Sequence, residues 1–151
     1  MNDISIVDDW PAPSSVPSVV VHADESSLWL RYSTADDGVA VLFFPLVESF
    51  RFGAPNDEAL GGHPLYKNGL QFYSIHKVND SSWIQDLEKQ NSAHPQHDRE
   101  SFLKDHVHYI FTFQDSTLEC VVVEGDHWKP EITECPSDDE ADRVWKEKIG
   151  A

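Results

Sequence analysis

Two runs of alternating side chains, Val107 to Phe113 and Leu118 to Val122, constrain the fold more than any other feature of this chain. Val107, Tyr109, Phe111 and Phe113 alternate with His108, Ile110 and Thr112, and Leu118, Cys120 and Val122 continue the pattern on the return. Successive strand side chains point to opposite faces, so a period of two buries one face of a sheet and suits no helix. With Asp115-Ser116 as the turn, the runs make a β-hairpin from Val107 to Glu124. A two-residue loop sets 114 opposite 117, so Phe111 faces Cys120, Thr112 faces Glu119 and His108 faces Val123. Glu119 then stands roughly 13 Å along the strand from His108, out of its reach.

The remaining chain reads in the same way. Val19-Val20-Val21 runs into a turn at Asp24-Glu25-Ser26, and Leu28, Leu30 and Tyr32 alternate with Trp29 and Arg31. Asp36-Asp37-Gly38 joins that strand to Val39–Phe44, and further strands are expected at 47–52 and 70–78. Ser82 with Gln85 three residues on has capping-box spacing for a central helix carrying Trp83, Ile84 and Leu87. Asp98 caps a short turn bearing Phe102 and Leu103. Ser137 begins a C-terminal helix with Asp138, Asp139 and Glu140 at its positive end, Lys146 and Lys148 at its negative end, and Gly150 as its stop. Ala141, Val144, Trp145 and Ile149 form its apolar stripe. The pattern predicts an α+β fold, a mainly antiparallel β roll or half-open barrel of seven or eight strands with a central and a C-terminal helix. Residues 1–17, with Pro11, Pro13 and Pro17 among acids and serines, read as an extended surface leader to a single globular domain over 18–151.

Charge narrows the partners. Twenty-seven acidic residues against 11 basic give a net charge of −16, which repels nucleic-acid phosphates and anionic membranes and reads either as a well-solvated surface or as a face for a basic protein partner. No cation-led apolar segment opens the chain and no apolar run reaches the ~20 residues of a membrane span, so a cytoplasmic protein is the expectation. Cys120 and Cys135 are too few for a disulfide framework, and neither sits in a CxxC pair. Cys120, on the Phe111 and Phe113 face, reads as a buried and inert thiol.

Phe52-Gly53-Ala54-Pro55-Asn56-Asp57-Glu58, Gly62-His63-Pro64-Leu65, Ser82-Trp83-Ile84 and Asp115-Ser116-Thr117-Leu118-Glu119-Cys120 together resemble a group of short bacterial proteins of unassigned function. The resemblance runs over roughly residues 50–124 and implies a bacterial cytosolic setting, with no catalytic roles to carry over.

Histidine is the side chain most suited to metal binding and proton transfer near neutrality, and six of the eight fall between His63 and His108. His106 and His108, two apart on a strand, share a face and could converge on a metal. His63, in the turn-rich connection 53–69, and His76, at the end of a strand, are the further metal candidates, with zinc or another divalent ion as the cofactor. Asp57 and Glu58, with His63 as a base, are the catalytic candidates. Asn56 or Asp57 serves equally well to start a short turn through Leu60. His94-Pro-Gln-His97-Asp98 reads as an exposed polar turn. No Walker loop, GxGxxG, GxSxG or HExxH is present, so no nucleotide cofactor is indicated.

The leading functional expectation is a non-catalytic protein–protein interaction or regulatory module of the immunity or inhibitor kind, without a cofactor. Two alternatives stand beside it. One is a small metal-dependent or acid/base enzyme using the histidines, and the other a ligand-binding β roll lined by Trp29, Phe72 and Tyr73. The aromatic content leaves self-association, as a homodimer, open.

Overall fold

Two antiparallel sheets packed face to face organise the chain, and they do not close into a barrel. The computed structural model describes residues 1–16 and 18–150. Its strands are β1 (Asp3–Ile6), β2 (Val20–Ala23), β3 (Leu28–Ser33), β4 (Val39–Phe44), β5 (Val47–Gly53), β6 (Ile75–Asn79), β7 (His106–Thr112), β8 (Thr117–Val123) and β9 (Glu131–Cys135). Its helices are α1 (Ser82–Asn91), α2 (Arg99–Asp105) and α3 (Asp138–Ile149). One sheet has the order β1-β6-β7-β8-β5 and the other β2-β3-β4-β9. The expected α+β class with a central and a C-terminal helix is what forms.

Period-two patterning explains the core between the sheets. Leu28, Leu30 and Tyr32 of β3 and Ala40, Leu42 and Phe44 of β4 meet Tyr109, Phe111, Leu118, Cys120 and Val122 of β7 and β8. Phe44 meets Phe111 edge-on with ring centres 6.4 Å apart, the arrangement their quadrupoles favour. The outer face of the four-stranded sheet is covered by α3, whose Ala141, Val144 and Trp145 pack on Val39, Val41 and Cys135. The outer face of the five-stranded sheet is covered by α1, α2 and the 53–69 connection, through Ile84 and Phe102 on Val121 and Leu60 on Ile110. No helix among the described residues is long and apolar enough to cross a membrane.

Four local expectations change. The N-terminal segment is not simply a draped leader: β1 pairs with β6, and Trp10 packs against Tyr109 with ring centres 4.8 Å apart. Pro17, expected in that leader, lies outside the described residues. The strand expected over 70–78 is confined to Ile75–Asn79, and β9 is a strand that short polar alternation around Ile132 did not announce. The cap of α1 is Ser81, whose Oγ accepts the Ile84 N–H, while the Ser82 N–H is taken by Asn2 Oδ1.

The fourth change is the register of the main hairpin. Thr112 faces Thr117, Phe111 faces Leu118, Ile110 faces Glu119 and His108 faces Val121. The connection is four residues, closed by the Phe113 N–H on the Ser116 carbonyl. A two-residue hairpin loop needs left-handed residues that Asp115-Ser116 does not supply, and no residue of this connection has positive φ. The slip is two positions, so every side chain keeps its face but Glu119 moves toward His108.

Candidate functional site

The 53–69 connection folds as two short 3-10 turns, Asp57–Gly62 and Tyr66–Asn68, over the outer face of β7 and β8. Asn56 starts the first by accepting the Ala59 N–H on Oδ1, and Leu60 is the buried anchor. The Asp57 N–H donates to the Gln114 carbonyl at the hairpin tip, and Thr117 Oγ1 donates to the Pro55 carbonyl. His63 is thereby carried onto β8.

There Glu119 accepts from two histidines. His63 Nε2 lies 2.8 Å from Oε2 and His108 Nε2 lies 3.0 Å from Oε1. His63 Nδ1 accepts the Leu65 backbone N–H, which leaves its Nε2–H aimed at the carboxylate. His108 Nδ1 lies 2.8 Å from the Ser81 hydroxyl, and the acceptor-only carboxylate calls for an N–H on His108 Nε2 as well. Burial alone would raise the Glu119 pKa, but the bonds from His108 and His63, with the electrostatic attraction of His63 and then of Arg51, outweigh it and hold it at about 2. Arg51 reaches across from β5, with a guanidinium nitrogen 3.4 Å from Oε1 and its planar group 4.1 Å from the centre of the Trp83 ring.

This network floors an open cleft of about 590 Å³. Ala54, Pro55, Pro64 and Leu65 form one wall, and Trp83 and Asp86 of α1 face them. Both histidines and the carboxylate are nearly sealed, while the Arg51 side chain is 63% exposed. The cleft thus has a fixed anionic floor and a loosely held cation at its mouth.

Of the residues expected to carry chemistry, the structure brings His63 and His108 together. The other metal candidates stand apart. His76 is fully buried with both nitrogens engaged, Nδ1–H on the Ile110 carbonyl and Nε2 accepting the Gln71 N–H. His106 donates Nδ1–H to the Phe102 carbonyl, stacks on that ring, and leaves Nε2 3.8 Å from Glu48. Among the described residues, no group of three or more His, Cys, Asp or Glu side chains converges to hold a metal ion. Asp57 accepts the Tyr73 hydroxyl at 2.6 Å, Glu58 is exposed, and neither bonds to His63. Trp29, Phe72 and Tyr73 line no common pocket: Trp29 stacks on Phe43 in the other sheet, and Phe72 is 48% exposed.

Three participants escaped the sequence reading. Glu119 was set aside by the two-residue turn, and Arg51 and Trp83 lie 32 residues apart with no motif joining them. The reading of His97 as an exposed turn residue is also corrected. His97 is mostly buried and bridges Asn91 and Glu88, with Nε2 2.8 Å from the Glu88 carboxylate. Two successive turns, closed by the His94 N–H on the Asn91 carbonyl and the His97 N–H on the His94 carbonyl, fold it back there. Both cysteines are buried and unpaired, and burial pushes both thiols up. In comparisons with known proteins, no family model, curated protein or solved structure matches the chain.

Proposed function

We propose that the protein is a non-catalytic protein–protein interaction or regulatory module of the bacterial cytoplasm that docks a basic partner at the cleft above Glu119. The observation that carries this reading is how completely Glu119, His63 and His108 beneath the cleft satisfy one another. His63 and His108 each have both nitrogens engaged, and Glu119 is held ionised at about 2, far below the range of a useful general base. The groups left open at the mouth, Trp83, Asp86 and Arg51, are recognition groups. The charge of −16 supports a basic partner, as does a second recess bordered by Asp8, Asp9, Asp36 and Glu134 with no cation in its lining.

Replacing Asp86 by a photo-crosslinking residue tests the reading in growing cells. A discrete protein adduct is expected from position 86, and none from a control at Glu25, on the turn between β2 and β3 in the other sheet. Turnover of any substrate that is lost on His63→Ala would reject the non-catalytic reading.

A specific feature of β5 favours self-association in addition. β5 closes one edge of its sheet, and Phe50 and Phe52 on it are 38% and 43% exposed. An unpaired edge bearing aromatics is a template for a second copy. Sedimentation should find a dimer that Phe52→Lys disperses, and a concentration-independent monomer would reject it.

A further inference from the structure

Resting on the reading of the cleft as a docking site, we infer that it receives an arginine side chain of the basic partner, and that Arg51 is the built-in competitor for that position. Trp83 and Glu119 are the two halves of a guanidinium site. One offers a π face and the other a carboxylate, and Arg51 occupies both at 4.1 Å and 3.4 Å.

The host and its occupant are held very differently. Glu119 is fixed by His63 and His108, and its side chain is 11% exposed. Arg51 extends from an edge strand, and its single bond to Glu119 lies at the long end of the hydrogen-bond range. A bidentate pairing, the geometry that gives arginine–carboxylate contacts their strength, is not formed. Oε2 accepts only from His63, so a carboxylate lone pair remains for an incoming N–H.

Charge and shape point the same way. Without Arg51 the lining carries two carboxylates, Glu119 and Asp86, and no Lys or Arg. Ala54, Pro55, Pro64 and Leu65 present the short apolar wall that an aliphatic stem packs along. An arginine from a partner can therefore displace Arg51 into solvent at little cost, since Arg51 is already mostly hydrated.

The test is a titration of the full-length 15N-labelled chain with Nα-acetyl-arginine methylamide and, separately, its citrulline counterpart, which keeps the shape and loses the charge. The arginine probe should shift the Trp83 indole and Gly62 amide signals, with citrulline weaker by about tenfold. Arg51→Ala should bind the arginine probe about tenfold more tightly than the parent chain, because the competitor is gone. Trp83→Leu, which keeps apolar packing, should weaken it by a similar factor. Equal or weaker binding by Arg51→Ala would overturn the inference. Citrulline binding as well as arginine would overturn it too while leaving the docking reading intact. Silence of the cleft signals toward both probes, in the parent chain and in Arg51→Ala, would overturn both.

Discussion

Glu119 and His63, 56 residues apart in the chain, meet at 2.8 Å on the outer face of the five-stranded sheet. This contact, with the Thr117 bond to Pro55 and the Gln114 bond to Asp57, fastens the 53–69 connection to the hairpin. The cleft exists because that connection is fastened.

Replacing Glu119 with Gln should therefore loosen the loop as well as destabilise the fold. An amide presents one acceptor and one donor, so it cannot accept from both His63 and His108, and one buried N–H is left facing another. The cost should be about 3 kcal/mol by urea unfolding, accompanied by faster amide exchange across the 57–69 turns. Unchanged exchange there would show that Leu60 alone holds the loop.

Glu119 also sets an acid window. Its folded-state pKa of about 2 lies below the ordinary 4.5, so its contribution is fully present above pH 4.5 and is lost as pH falls toward 2. That loss is on the order of 3 kcal/mol. Denaturant melts from pH 6 to 2.5 should show the decline, and it should be shallower in Glu119→Gln.

His76 acts in a higher window. Burial holds its pKa below the ordinary 6.5 despite the opposing bond to the Ile110 carbonyl. The unfolded chain takes up that proton first, so stability is full above pH 6.5 and falls as pH drops below it. His76→Phe should cost about 2–4 kcal/mol at pH 7, because the Gln71 N–H and the Ile110 carbonyl lose their partner. It should also flatten the dependence between pH 5 and 7, and a slope equal to the parent's would refute the assignment.

Ser81→Ala removes two bonds at once, the cap on the Ile84 N–H and the hydroxyl on His108 Nδ1. The expected cost is about 1–2 kcal/mol, or a Tm lower by about 3–6 °C. Ser82→Ala, one residue along, should cost less, and calorimetry of the pair separates the observed cap from the sequence-expected one.

Both thiols should be silent toward an aromatic disulfide reagent in the folded protein and react fully in urea. Cys120 is completely buried and Cys135 nearly so, and burial suppresses the thiolate that such reagents require. A fast-reacting thiol in the native state would contradict this packing.

Alternation in β3, β7 and β8 was written in the sequence because the polar–apolar period is a local property, and it determined which of their residues face the inter-sheet core. Cys120 kept its expected burial even though the hairpin register slipped, since a two-position slip preserves the faces. The stripe and caps of α3 were equally local and equally legible. The candidate site was not. Whether Glu119 stands across from Thr112 or from Ile110 depends on loop length, and the four-residue connection that decides it is tied to Asp57 from another part of the chain. Arg51, Trp83 and His63 come from an edge strand, a helix and a loop, joined by contacts that exist only after both faces of the sheet are covered. Periodicity fixes which way a side chain points, whereas only tertiary packing fixes what it meets there.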